Sequence, residues 1–371
     1  MHTGRTPTTN QRGRDFTMLR NRFLLLLISF CACLLIACSG DRDGPPDASA
    51  QSSPSLTIQN ASTWPRTLVT SQGELTLEQA PQRIVSTSVT LTGVLLAIDA
   101  PVVASGASSA NTEVADEQGF FRQWGDVARQ RGVRPIYQGA PDAEAIIAEQ
   151  PDLIVMARTG GDSALALYEQ LSLFAPVLVL NYDDKSWQEL ASALGAATGR
   201  EQQAQAVIEE FNAQVASVKT RLQLPPQPVS ALVYYEDGSG ANLWTPDSAQ
   251  GQLLQALGFE IATPPSHVQG GTLQGERKDI VQLAGENLSD GLQGRTMLLF
   301  SADESSVRRI NQDKFLAHTP AILSNRVYAV GLDTFRLDYY SASNLLQRLA
   351  SLFPETPTAV ADANSSFMNR P

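Results

Sequence analysis

One uninterrupted helical stripe constrains this chain more than any other feature. From Glu201 to Leu222, apolar residues fall at Ala204, Val207, Ile208, Phe211, Val215, Val218 and Leu222. That is the i, i+3, i+4 spacing of one helix face. The stretch follows Thr198-Gly199, runs into Leu224-Pro225-Pro226, and holds no breaker. At 1.5 Å rise per residue it predicts a rod of about 33 Å. A rod of that length in mid-chain joins two bodies and holds them apart.

Both flanks read as α/β. Before the rod, RIVSTSV (83–89), PVVASGA (101–107), DLIVMA (152–157) and PVLVLNY (176–182) are buried-strand runs separated by helical patterns. After it come VSALVYYE (229–236), TMLLFSA (296–302) and RVYAVG (326–331). Alternating strands and helices imply parallel sheets covered on both faces. The fold expected is α/β, two Rossmann-like lobes joined by one long rigid helix. The expected divisions are a leader over 1–38, a flexible linker over 39–62, an N-terminal lobe over 63–198, the interlobe helix over 199–225, a C-terminal lobe over 226–355 and a disordered tail over 356–371.

The leader limits the chemistry. Met18, a natural start, precedes Arg20 and Arg22, then the apolar run FLLLLISFCACLLIA from Phe23 to Ala37, then Cys38. This is the layout of an export signal, shorter than the ~20 residues that span a bilayer. LIAC, ending at Cys38, is similar to the lipobox of bacterial lipoproteins, so Cys38 is expected to carry a lipid anchor. All three cysteines (Cys31, Cys33, Cys38) lie in this segment, which leaves the exported domain without a disulfide, thiolate site or cysteine nucleophile. The formal net charge is -11, which excludes nucleic acid as a partner.

In open α/β sheets, ligands bind beyond the carboxyl ends of the strands. The loops expected there hold Thr87 and Ser88, Arg158 with Thr159 and Gly160, Asn181 to Asp183, Glu236 to Trp244, and Thr334 to Arg336. Arg158 directly follows a strand. Gly160-Gly161, with Asp162 or Ser163 as N-cap, predicts a helix start whose backbone at Thr159 and Gly160 can meet an anion. Trp244 either walls the cleft or packs within its own lobe, and Arg122 in FFRQW either meets ligand or pairs along its helix.

Six segments carry a family resemblance: PQRIVSTSVTLTGVLLAIDAPV, VADEQGFFRQW, PDLIVMARTGGDSALALYEQL, NYDDKSWQEL, ANLWTPDSAQGQLLQALGF and TFRLDYYSAS. From about Trp64 to Phe353 the chain resembles the periplasmic substrate-binding proteins of siderophore and cobalamin ABC importers (class III, the helical-backbone metal receptor type), and among them the ferric enterobactin receptors. The resemblance implies a non-enzymatic, periplasmic, monomeric receptor. It would capture a ferric catecholate siderophore and deliver it to an inner-membrane permease with its ATPase. It implies no cofactor, since iron would come only inside the siderophore. Arg336, in the matching TFRLDYY segment, becomes the leading ligand contact, suited by charge and by stacking on a catecholate ring. It also implies that Glu144 and Glu286, each shortly before a buried strand, dock on the permease.

Rival readings remain. Tyr339 and Tyr340 with Asp338 could hold bare Fe3+, but neighbouring residues at a helix start point ~100° apart, so at most one tyrosine, Tyr339 foremost, faces the cleft. Another iron chelate, haem or cobalamin suits the same architecture. A siderophore hydrolase lacks a G-x-S-x-G elbow, and His267 and His318 show no partner in sequence.

Overall fold

The computed structural model describes residues 57–59, 63–269 and 278–355. The export signal, Cys38, the linker through residue 56 and the tail from 356 lie outside the described residues. Among those described, no helix is long and apolar enough to cross a membrane.

The described chain opens with an antiparallel meander, β1 (Thr57–Gln59), β2 (Arg66–Thr70) and β3 (Gly73–Leu77). The first lobe follows: β4 (Ile84–Ser86), α1 (Val89–Ala97), β5 (Val102–Ala107), α2 (Arg122–Gln130), β6 (Arg134–Gln138), α3 (Ala143–Ala148), β7 (Leu153–Ala157), α4 (Tyr168–Leu171), β8 (Val177–Leu180) and α5 (Trp187–Thr198). Its sheet runs β6-β5-β4-β7-β8, parallel throughout. Strand β6, not foreseen from sequence, lies at the edge and carries Pro135, as an edge strand can.

Gly199 ends α5 in the left-handed conformation (φ 71°). The long helix α6 then spans Glu201–Arg221, 21 residues. The second lobe comprises β9 (Val229–Tyr235), β10 (Gly240–Trp244), α7 (Ala249–Leu257), β11 (Ile280–Ala284), α8 (Leu288–Gly291), β12 (Thr296–Leu299), α9 (Glu304–Gln312), α10 (Pro320–Leu323), β13 (Val327–Ala329) and α11 (Tyr339–Leu352).

Here the parallel expectation is corrected. The order is β11-β10-β9-β12-β13, with β10 antiparallel to both neighbours. Only four residues, 236–239, join β9 to β10, too few for the helix a parallel crossover needs. They include Asp237-Gly238, a hairpin signal. At Gly240 (φ 146°) a Cβ would fall 2.0 Å from the Leu283 carbonyl oxygen, so the pairing with β11 requires glycine.

The strands explain why the lobes form one body. Along the first sheet, Val85, Ile154, Met156, Val177 and Val179 face one core, and Ile84, Leu153, Val155, Leu178 and Leu180 face another. The second sheet alternates likewise, with Leu232, Met297 and Leu299 on its outer core and Ala231, Val233, Leu298 and Phe300 on the inner one. This is the two-residue period of a pleated strand buried on both faces. The inner cores of both lobes are a single cluster, continuous through Ala204, Val207, Phe211 and Val218 of α6. Helix α6 packs on α5 of the first lobe and on α7 and α11 of the second.

Candidate functional site

Between the lobes lies a cavity of about 640 Å³, within the range of small-ligand sites. The first lobe contributes the start of α1 and α2 and the segment from Tyr182 to Leu190. The second contributes Trp244, the first turns of α7, Lys278, Asp279 and the segment from Phe335 to Asp338.

Among the described residues, Arg336 is the single arginine of the lining. Its guanidinium lies 4.6 Å from the centroid of the Tyr182 ring and 5.8 Å from that of Phe335. Nη1 is 2.8 Å from Asp183 Oδ1. The loop that presents it is fixed. Gln250 of α7, itself buried, donates from Nε2 to the carbonyls of Thr334 (3.2 Å) and Phe335 (2.8 Å). Thr334 Oγ1 donates to Gly331 O at 2.7 Å and accepts from Ser301 N at 3.0 Å. A planar cation on an aromatic face, held by a braced loop, suits a flat anionic ligand.

Trp244 also lines the cavity, though it ends strand β10 rather than sitting in a loop. Its ring packs near Phe300 and Phe335 at 6.3 and 6.0 Å, and Nε1 has no hydrogen-bond partner among the described residues. Packing within its lobe and lining the cleft are thus both true of it. Phe121 and Leu337 add further apolar wall.

The other sequence candidates sit elsewhere. The first sheet's order reverses between β4 and β7, the crevice where open sheets take ligands. Here Asp162 fills it. Its carboxylate accepts from Ser88 Oγ (2.5 Å), Thr90 N (3.0 Å) and Tyr182 Oη (2.7 Å). Asp162 therefore caps α1, not a helix of its own, which corrects the helix start expected at Gly160-Gly161. Thr87 and Ser88 are buried beneath this knot, Ser88 as N-cap of α1. Gly160 is indispensable to it, since at φ 91° a Cβ would lie 1.7 Å from Tyr182 Oη. Thr159 Oγ1 donates to Asp183 Oδ2 at 2.5 Å, so it reaches the site through Asp183. Arg158 is exposed beside that turn. Arg122, at the start of α2, donates from Nε and Nη2 to Thr112 O at 3.2 and 2.9 Å.

Neither Tyr339 nor Tyr340 is among the lining residues. Helix α11 begins at Tyr339 with Asp338 as N-cap, and its first turn lies against α6. Tyr339 packs edge-on to Trp187 at 5.7 Å and donates to Glu210 Oε1 at 3.2 Å. Burial pushes Tyr340 up to about 12, so it is protonated at neutral pH. Burial, then the neighbouring Asp162 carboxylate, raises Tyr182 well above the tyrosine range.

Asp338 links the lobes. It accepts from Ser341 N (2.8 Å) on its own helix and from Gln123 Nε2 (3.3 Å) on α2. Gly93 of α1 makes room for it, since a Cβ there would stand 2.6 Å from Asp338 Oδ2. Burial pushes this carboxyl up to about 6, against the opposing pull of its hydrogen bonds. A carboxyl raised by folding binds its proton more tightly in the native state, so its contribution to stability falls as pH rises from about 4 to about 6. Asp338→Asn, which keeps an N-cap acceptor, is expected to remove that slope. Urea midpoints of wild type and variant, compared at pH 4.5 and pH 7, check it: the variant should gain on the wild type at pH 7.

Among the described residues, the lining carries Asp183, Asp184, Glu189, Asp247, Asp279 and Asp338 against Lys185, Lys278 and Arg336. Several of these carboxylates are committed locally: Asp184 to Lys185 at 2.7 Å, and Glu189 to the cap of α5 through Ser186 N at 2.7 Å. Among the described residues, no group of three or more His, Cys, Asp or Glu is arranged to hold a metal. His318 Nε2 meets Ser289 Oγ at 2.6 Å, away from the cavity lining.

Glu144 and Glu286 are both exposed. Glu144 lies in the first turn of α3, capped by Asp142, just after β6. Glu286 lies in the 3-10 turn Gly285–Asn287 just after β11. Register puts the end of β11 opposite Gly240, which in turn faces Tyr235 at the end of β9. Each glutamate therefore emerges at the carboxyl edge of its own sheet.

Comparisons with known proteins agree with this architecture. A family model described as periplasmic binding protein matches residues 84–333. The chain is 55% identical over 293 residues to the ferric enterobactin-binding periplasmic protein FepB of Escherichia coli O6:H1, covering 79% of this chain and 92% of that protein. It is 24% identical over 296 residues to the Fe(3+) dicitrate-binding periplasmic protein FecB of Escherichia coli K12, covering 78% and 90%. The crystal structure of holo-ViuP superposes with a TM-score of 0.71 at 35% identity, covering 79% of this chain and 96% of that one. With a family model spanning strands of both lobes and a relative this similar over most of its length, the chain belongs to the periplasmic binding protein family.

Proposed function

We propose that this chain is a periplasmic receptor that captures a ferric catecholate siderophore, ferric enterobactin foremost, and delivers it to an ABC permease for iron uptake. The observation that carries the reading is the braced Arg336 guanidinium lying on Tyr182, in a cleft walled by Phe121, Trp244 and Phe335. The identity to FepB supports the choice of ligand. A siderophore that already fills the coordination shell of iron needs no protein ligand on the metal. It needs a cation and flat surfaces for its rings, and the cleft offers both. The reading is non-enzymatic: transport is driven by the ATPase of the importer, and the receptor supplies capture and orientation.

Tryptophan fluorescence of the exported domain, titrated in parallel with ferric enterobactin, a ferric hydroxamate, haem and ferric citrate, tests the ligand. Saturable quenching by the catecholate is expected. Quenching by the hydroxamate and not the catecholate overturns the reading.

Delivery is assigned to Glu144 and Glu286, one exposed carboxylate per lobe, meeting basic pockets on the two permease subunits. Replacing both with alanine is expected to lower uptake by vesicles bearing the importer by at least about tenfold, because each lobe then loses its charge contact. Capture in solution should stay as in the wild type, and loss of capture would contradict the assignment. The anchor is assigned to Cys38. Globomycin, which blocks lipoprotein signal cleavage, should cause the unprocessed precursor to accumulate.

A further inference from the structure

Within the cavity, the charge of Arg336 is already paired. Asp183, the third residue after β8 in the first lobe, holds it from across the cleft at 2.8 Å. The two side chains are only 33% and 28% exposed. Asp183 is itself held in place. Thr159 Oγ1 donates to its Oδ2 at 2.5 Å, and its backbone N–H donates to Asn181 Oδ1 at 3.2 Å. Tyr182, between Asn181 and Asp183, lies under the guanidinium face. Two consecutive residues of one loop thus engage the same cation, Asp183 by charge and Tyr182 through its ring. Of the other lining carboxylates, Asp184 is spent on Lys185, Glu189 on Ser186 and Asp338 on the N-cap of α11, and the acid paired with the arginine is Asp183.

We infer that Asp183 is an internal counterion which an anionic ligand must replace on Arg336, so that it sets which anions the cleft accepts. The identity of the ligand rests on the siderophore reading, whereas the ion pair does not. A monoanion brings no more charge to the guanidinium than Asp183 already supplies, and it must also shed water. A trianion with several oxygens and flat rings outbids one carboxylate, and Tyr182 can keep its place on the opposite face of the guanidinium. Specificity then comes from a built-in competitor as well as from attraction. The competitor weakens most an anion whose only contact is Arg336, and weakens less a ligand that also holds the cleft through its other oxygens and rings.

Asp183→Asn keeps an oxygen for Thr159 and removes the charge. Two measurements follow. Phenylglyoxal labelling of arginines, read by mass spectrometry without any ligand, should speed up at Arg336 by about three- to tenfold as the guanidinium is released. Arg348, paired with Asp333 at 2.5 Å, serves as an unchanged reference. Titrations with ferric enterobactin and with 2,3-dihydroxybenzoate, a monoanionic single-ring fragment, should both tighten in the variant, the fragment more, so their affinity ratio narrows.

Unchanged labelling at Arg336 overturns the ion pair. Faster labelling with weaker catecholate binding, at an unchanged thermal midpoint, overturns the competitor role and makes Asp183 a support of the site. If the wild type ignores ferric enterobactin, the siderophore reading fails, and the labelling and fragment arms still decide the role of Asp183.

Discussion

Arg336→Ala is expected to weaken capture of ferric enterobactin by roughly 10- to 100-fold, the range of a charge-assisted hydrogen bond to an anion. The loop that carries the residue is held by Gln250 and Thr334 and not by the guanidinium, so truncation should leave the fold intact. It also leaves the Asp183 carboxylate without its cation in the cleft, which adds repulsion to the lost attraction. Association of the variant should quicken as salt rises, since the carboxylates left in the lining repel an anionic ligand and salt screens them. Tyr340→Phe removes a hydroxyl from a residue outside the cavity lining and should change affinity less than about twofold. Equal losses in the two variants would return iron ligation by tyrosine to consideration.

Phe211→Ala is expected to produce the largest loss of stability. Phe211 is 2% exposed, meets Trp187 edge-on at 5.1 Å, and lies where α6 carries the shared core from one lobe to the other. Truncating a buried phenylalanine costs about 3–5 kcal/mol, which lowers the thermal midpoint by roughly 5–8 °C in a domain of this size. The exposed neighbour Asn212, changed to alanine, should move it by less than about 2 °C. Because the core around Phe211 is common to both lobes, the variant should also show faster amide exchange in α5 and α11 than in the outer cores. Loss confined to one lobe would mean that the two cores are independent.

Much of this architecture is written in local pattern, and the gaps have physical causes. The stripe of α6 is legible because four of its apolar positions, Ala204, Val207, Phe211 and Val218, are buried. The central strands are legible because both faces are covered, which gives continuous β-branched runs. Strand β6, RPIYQ, sits at an edge and buries little, so its sequence carries no such run. Strand β10 reads as loop in the sequence because it follows a tight turn, although Asp237-Gly238 announces the hairpin.

At the site, Arg336 and Trp244 are legible as polar and aromatic residues in unusual company, and both line the cavity. Their setting is not. That Asp162 fills the β4/β7 crevice depends on Gly160 allowing Tyr182 to approach, a contact between residues 22 positions apart that no local pattern records. The sequence places Asp183 in a loop expected at the cleft, but neither its pairing with Arg336 nor the bracing by Gln250 is legible, because the partners lie in the other lobe or on another element.

If iron arrives already wrapped and takes no ligand from the protein, the absorption spectrum of the protein saturated with ferric enterobactin will show it. The charge-transfer band of the free tris-catecholate complex should be retained in shape and position, and Fe3+ supplied on a weak chelator should produce no new band. A tyrosinate-to-iron band that disappears in Tyr339→Phe or Tyr340→Phe would contradict it.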